Sequence, residues 1–308
     1  MSRTFHGLPV CSVLTALDGG EELPAAEAAA WRIGLGYRYG GKTEFAEAWQ
    51  RFLDAVDTTR VRALVLGAWW AGDYDGLAGP LDLIIDSADR LPELEALFIG
   101  DVHAEECEIS WLEMCDITPV FESFPRLTDL VVRGGNGLRL RPVGHERLRS
   151  LAFESGGLPA RVVRAVGECD FPALEELDLW LGVDEYGGDH TLEDIAPLLT
   201  ATRLPALRSL GLQNSEYQDD IAAAVAQAPV VARLEHLALG MGVLTDEGAA
   251  ALLEGQPLTH LATLDLHHHY LTEEMQQRVA EALAGVEVDL SDAEDEEDEE
   301  DRYVAVSE

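Results

Sequence analysis

Basic residues are scarce in this chain, and lysine is almost missing. Of 308 residues, 21 are Lys or Arg against 58 Asp or Glu, a formal net charge of −37, and Lys42 is the only lysine. So acidic a surface repels phosphate backbones, whose binding depends on Lys and Arg neutralising charge. Anionic lipid is disfavoured for the same reason. Neither nucleic acid nor a membrane is therefore expected as a partner, and the long-range field favours a cationic one. Cysteine is sparse too. The four, Cys11, Cys107, Cys115 and Cys169, form no C-x-x-C pair and no zinc spacing. They read as reduced thiols of a cytoplasmic protein. No apolar run reaches the roughly 20 residues that a membrane-spanning helix needs. No signal segment is expected either, since only seven residues precede Leu8 and none forms an apolar stretch.

What the chain does have is repetition. The pattern L-x-x-L-x-L recurs as Val61/Leu64/Leu66, Leu94/Leu97/Ile99, Leu127/Leu130/Val132 and Leu148/Leu151/Phe153. It continues as Leu174/Leu177/Leu179, Leu207/Leu210/Leu212, Leu234/Leu237/Leu239 and Leu261/Leu264/Leu266, and a weaker copy, Ala30/Ile33/Leu35, precedes them all. From Leu64 the middle position advances by 33, 33, 21, 26, 33, 27 and 27 residues. Several steps match the ~20–29-residue leucine-rich repeat, and the longer ones imply loop insertions. In L-x-L the two apolar residues share one face of a strand and the residues between them point the other way. Pro92, Pro125, Pro172 and Pro205 stand two residues before the first Leu, where proline halts the preceding helix without costing the strand a donor.

Helical stretches are expected between the strands over Thr43–Val56, Leu158–Val166, Leu192–Leu199, Asp219–Gln227, Thr245–Leu253 and Thr272–Leu283. Thr245 and Thr272 supply capping hydroxyls, followed by acids in the first turn. The fold class that follows is α/β: a leucine-rich-repeat solenoid over residues 1–290 with about nine repeats. It should have a curved parallel sheet on its concave side and helices on its convex side. Residues 291–308 read as an acidic disordered tail with a short apolar end. Nine acids lie between Asp292 and Asp301, and self-repulsion keeps such a run from packing. The alternating Tyr303–Val306 beyond it either frays or docks as an added strand or plug on an open end of the solenoid.

Two segments make the resemblance narrower. Leu244-Thr245-Asp246-Glu247-Gly248-Ala249 and Leu264-Asp265-Leu266-His267-His268-His269-Tyr270-Leu271 look like ribonuclease-inhibitor-type repeats. The layout over about residues 25 to 290 also resembles a small, uncharacterised family of bacterial cytoplasmic leucine-rich-repeat proteins. The resemblance implies the fold and a binding role, with no activity attached. One departure stands out. The ninth repeat position, commonly an Asn or Cys that ladders the backbone, is here Gly135, Gly156, Gly182, Ser215, Gly242 and His269. Backbone or water must take over that role.

Few residues suggest chemistry. Gly36-Tyr37-Arg38-Tyr39-Gly40-Gly41-Lys42-Thr43 satisfies G-x-x-x-x-G-K-T, so a nucleotide-binding regulatory module is the alternative reading. Its spacers are bulky and cationic, and the strand before it already belongs to the repeats, which favours a plain Gly-rich turn. His267-His268-His269 cannot converge on one metal ion while extended, because adjacent strand residues face opposite sides. No nucleophile elbow, zincin motif or Cys/His pair is present. The reading is a non-enzymatic protein-interaction scaffold without cofactor or metal. Its partner would be a protein of basic or mixed surface charge, bound through the concave face and adjoining loops. The expected partner-binding residues are those projecting from strands and their exits: Tyr37, Trp69, Trp70, Asp101, Arg133, Glu154, Glu176, Asp178, Trp180, Asn214, His267 and His268. Aromatic anchors beside charges are what interface energetics favour.

Overall fold

A computed structural model describes residues 2–35, 44–70, 75–295 and 302–308. In it every L-x-x-L-x-L copy delivers a strand to one sheet. The strands are β1 (Thr4–Phe5), β2 (Leu8–Ser12), β3 (Ala30–Ile33), β4 (Ala63–Leu66), β5 (Ala96–Ile99) and β6 (Asp129–Arg133). They continue as β7 (Ser150–Glu154), β8 (Glu176–Gly182), β9 (Ser209–Ser215), β10 (His236–Ala238), β11 (Thr263–Asp265) and β12 (Glu287–Asp289). Neighbours in the sheet are neighbours in the chain throughout, antiparallel for β1–β2 and parallel from β2 onward. Unbroken sequential order in a parallel sheet is the signature of a solenoid, in which each unit packs only on its neighbours.

Register explains the repeat. Leu64, Leu97, Leu130, Leu151, Leu177, Leu210, Leu237 and Leu264 are consecutive cross-strand partners. Each is buried, and a fully buried Leu contributes about 1.5–3 kcal/mol of transfer free energy. The same register corrects the weak first copy. Trp31 pairs with Leu64 and Ile33 with Leu66, so the inward pair of β3 lies two residues before the one expected. A shift of two leaves the inward face unchanged, which is why the pattern matched at both positions.

The prolines do more than stop helices. In Leu91–Leu94, Phe124–Leu127, Phe171–Leu174 and Leu204–Leu207 the last N–H donates to the first carbonyl, with Pro second in each turn. That is where the fixed φ of proline pre-forms a β-turn.

Helices α1 (Val13–Gly19), α2 (Phe45–Ala55), α3 (Ala78–Asp86), α4 (Thr118–Ser123) and α5 (Ala160–Glu168) follow their strands. So do α6 (Leu192–Thr200), α7 (Gln218–Val225), α8 (Asp246–Glu254) and α9 (Glu273–Ala282). The six expected helices fall within a residue or two of their places. Three further helices, α1, α3 and α4, are not among those expected, although Pro119 stands in the first turn of α4 and left-handed Gly20 ends α1.

The main core lies between sheet and helices. A second, smaller apolar patch sits on the opposite face of the sheet. There Ala30, Ala63, Val65, Ala96 and Phe98 are covered by Phe5, Leu8 and Val10 of the β1–β2 hairpin. Phe5 and Phe98 pack with ring centroids 5.8 Å apart. The hairpin thus closes the amino-terminal part of the concave face, which leaves β6–β12 to present it.

At the ninth repeat position, main chain replaces the side-chain ladder. Val183 N–H donates to the Gly156 carbonyl at 2.8 Å and Val243 N–H to the Ser215 carbonyl at 2.9 Å. Gln218 adds a side-chain rung, its Nε2 donating to the Leu212 carbonyl at 2.8 Å. Gly182 has φ +71° and lies so close to the Gly156 carbonyl that a Cβ would overlap it.

Candidate functional site

The open concave face is acidic and centred on β8. Leu177, Leu179 and Leu181 point into the core, while Glu176, Asp178 and Trp180 alternate with them on the outer side. Asp178 is held in place. Its carboxylate accepts from Gln213 Nε2 at 2.8 Å and from Trp180 Nε1 at 3.2 Å. Gly211 is its cross-strand partner, and any side chain there would collide with the Asp178 carboxylate. Burial pushes the Asp178 carboxyl above the usual range, and the nearby charge of Asp265 adds to the rise against the two hydrogen bonds and His267. Gln213 is itself buried, and its Oε1 has no hydrogen-bond partner among the described residues. The column therefore offers acceptors in excess of donors.

Towards the hairpin, Arg133 and Glu154 pair across β6 and β7, with Nε donating at 2.7 Å and Nη2 at 2.6 Å. The Arg133 guanidinium also lies over the Phe98 ring, 5.3 Å from its centroid. Glu154 is raised by burial, with Arg133 opposing and Asp178 and Asp101 reinforcing the rise. On the other side, Asp265 accepts from His267 Nδ1 at 2.7 Å. Arg133, Glu154, Glu176, Asp178, Trp180 and His267 are thus brought onto one face.

The remaining expected site residues are not. Trp69 and Trp70 are 2% and 6% exposed, pack edge to face at 5.2 Å and belong to the main core. Trp69 Nε1 donates to the Asp75 carbonyl at 2.7 Å. Their expected role as surface anchors is corrected: two large indoles at a strand exit gain more from mutual burial than from water. Asp101 is likewise withdrawn, at 0% exposure. Its carboxylate accepts from Arg32 Nε at 3.1 Å and from Ser2 N at 2.9 Å, beneath the amino-terminal segment. Tyr37, with the whole Gly36–Thr43 segment and Lys42, lies outside the described residues.

Asn214 and His268 were expected to be exposed and are buried, at 0% and 6%. What buries them is the carboxy-terminal segment. Residues 302–308 lie along the exit turns of β9, β10 and β11, not on an open end of the solenoid. Asn214, Met241 and His268 head those turns at intervals of 27 residues, with φ of 61°, 65° and 52°. Asn214 Nδ2 donates to the Val306 carbonyl at 2.5 Å and its Oδ1 accepts from Val306 N at 2.9 Å. Met241 O accepts from Ala305 N at 2.8 Å. His268 Nε2 and the Tyr270 hydroxyl each donate to the Tyr303 carbonyl at 3.0 Å. Tyr186 adds a hydroxyl bond to Glu308. Met241, Tyr270 and Gly156 were missed as site residues. Of the three, only Met241 lies on the 27-residue spacing from Asn214 to His268, the same step that separates Leu210, Leu237 and Leu264.

Burial and neighbouring acids push the Cys107 and Cys115 thiols up to about 11, and burial alone is the leading cause for Cys169, also about 11. Such thiols are poor nucleophiles at neutral pH. Among the described residues no group of three or more His, Cys, Asp or Glu could hold a metal ion. No helix among them is long and apolar enough to cross a membrane.

The decisive observation is that eight L-x-x-L-x-L copies supply consecutive strands of one parallel sheet, each followed on the other face by helical or turn structure. The chain is a leucine-rich-repeat solenoid. No protein-family model matches it, and no curated protein does. Among solved structures it is similar to a Bacteroides fragilis protein from a structural-genomics consortium. That likeness has a TM-score of 0.79 at 29% identity, covering 91% of this chain and 78% of the other. It is also similar to the TLR13–ssRNA13 complex, with a TM-score of 0.46 at 15% identity, covering 87% of this chain and 36% of that one.

Proposed function

We propose that this leucine-rich-repeat chain is a protein-interaction scaffold rather than an enzyme, taking a partner of basic or mixed surface charge on its open concave face. The observation that carries the reading is the Asp178–Gln213 column. A crowded carboxylate and a buried, unpartnered amide oxygen both call for donors, and a Lys or Arg head group supplies donors and charge together. Trp180, half-buried beside them, adds an aromatic edge near the middle of the stack, where anchors contribute most. Arg133 does not neutralise the column, since it is already committed to Glu154.

The test compares partner capture by the wild-type chain, Trp180→Ala and the Glu176→Arg/Asp178→Arg double variant, each first shown to be folded. Trp180→Ala is expected to weaken binding by about 2 kcal/mol, roughly 30-fold. The charge reversal should slow association and remove most of its salt dependence. Unchanged affinity in both variants would place the partner elsewhere.

A further inference from the structure

We propose that the exit turns of β9, β10 and β11 form a binding groove for an extended peptide, of which residues 302–308 are the occupant in cis. The proposal rests on the exit turns and not on the Asp178–Gln213 column, so either reading can fail without the other.

Three features mark a built site rather than a resting place for a chain end. The groove reads main chain. Asn214 matches its amide to both polar groups of one residue, Val306, as a neighbouring strand would. Met241 O takes the Ala305 N–H, and the Tyr270 hydroxyl both accepts from Tyr303 N at 2.9 Å and donates to its carbonyl. Side-chain selection is confined to a few positions. Val304 is buried at 4% exposure, Ala305 faces outward, and the Tyr303 ring packs 5.4 Å from His268 and 6.4 Å from Tyr270. Room is made by glycine, since a Cβ on Gly156 would overlap the Ser307 carbonyl.

The turn residues add a further feature. Asn214, Met241 and His268 hold positive φ without being glycine, at equivalent places in three successive repeats. Strained backbone of this kind persists where the surroundings require it and gathers at ligand clamps. Here it aims one carbonyl and two side chains at the same segment. The ligand class is therefore an extended peptide of the pattern aromatic, β-branched, any, β-branched. A partner segment with that pattern competes with the chain's own copy.

The experiment uses the full-length chain and a fluorescent peptide of sequence Arg-Tyr-Val-Ala-Val-Ser-Glu. In the wild-type chain the Ala305 and Val306 amides should exchange at least about 100-fold more slowly than in the free peptide. Val304→Asp, made in the full chain to release the cis segment, should bind the peptide at least about tenfold more tightly than wild type, whose groove is filled. Gly156→Ala in the Val304→Asp background should weaken the peptide, because the added Cβ takes the place of its Ser carbonyl. Asn214→Gly in the Val304→Asp background keeps the turn, removes the reader and should abolish saturable binding. Unprotected Ala305 and Val306 amides in the wild type would overturn the proposal, whatever the variants do. So would equal peptide affinity in wild type and Val304→Asp, or no loss with Asn214→Gly. A wild-type dimer lost on Val304→Asp would assign the groove to a second copy's segment and overturn occupancy in cis.

Discussion

The Arg32–Asp101 pair shows how much one residue can carry at the covered end of the sheet. Arg32 donates through Nε to the Asp101 carboxylate and through Nη2 to its main-chain oxygen at 2.9 Å, with both side chains almost wholly buried. The guanidinium lies against Gly34 and Gly67, positions where a side chain would meet it. Removing one member of a buried pair strands the other charge, at a cost of about 3–5 kcal/mol. Arg32→Leu is therefore expected to destabilise by that amount in urea unfolding, and the Arg32→Leu/Asp101→Leu double variant to recover a large part of it. A melting curve for Arg32→Leu that overlays the wild type would show the pair to be inert. At this scale the sequence was a partial guide. Glu176, Asp178 and Trp180 could be placed on the outer face because period-2 alternation fixes them. Asp101, Asn214 and His268 could not, because what covers them comes from residues 2–5 and 302–308, far away in the chain. No local pattern reports such a contact.

Between elements, one device recurs from helix to helix. Asp219, in the first turn of α7, accepts from Thr245 N at 2.8 Å and Gly248 N at 3.0 Å, at the start of α8. Asp246, in the first turn of α8, accepts from Thr272 N at 2.9 Å and Thr272 Oγ1 at 2.8 Å, at the start of α9. Each acid thus satisfies orphan donors of the next helix and favours its positive end. Gly248 is required for the approach, since a Cβ there would collide with Asp219. Asp219→Ala should cost about 1.5–3 kcal/mol, the usual weight of hydrogen bonds to a charged group. Because solenoid units couple to nearest neighbours, the loss should appear as faster amide exchange in α8 with α2–α3 unaffected. Equal acceleration along the whole chain would contradict the clamp. Half of this is legible in the sequence, where Thr245, Thr272 and the acids after them read as helix starts. That those acids also serve the following repeat depends on the stacking distance, which only the packed sheet sets.

For the molecule as a whole, three buried histidines set the response to acid. His145 accepts from Leu148 N through Nδ1 at 3.0 Å and donates through Nε2 to the Phe124 carbonyl at 3.1 Å. His269 repeats the arrangement, accepting from Leu271 N at 3.1 Å and donating to the Leu290 carbonyl at 3.2 Å. Neither ring nitrogen of His190 has a hydrogen-bond partner among the described residues. Burial lowers all three below the ordinary value of 6.5. A lowered folded-state value means that the unfolded chain takes up protons first. Stability should therefore be steady above pH 7, fall as pH drops through 6.5, and stop falling on this account once pH is below the folded-state values. Glu154 and Asp178, raised in the fold, act with the opposite sign and return some stability in the acid range. Denaturant unfolding at pH 7.5 and 5.5 measures the difference, and His190→Leu should shrink it. A chain more stable at pH 5.5 than at 7.5 would refute the assignment. The repeat architecture behind this response was legible because eight leucine copies outvote any local ambiguity. Which histidines end up neutral and buried was not.

The left-handed backbone of Asn214, Met241 and His268 bears on how this chain could be redesigned. A protocol that optimises stability alone would place glycine at all three turns, relieving on the order of 1 kcal/mol of strain at each. The product would be a sturdier solenoid without the amide of Asn214 or the imidazole of His268, and so without two of the side chains that hold Tyr303 and Val306. Residues that score worst by conformational preference are here the ones an engineer should leave alone.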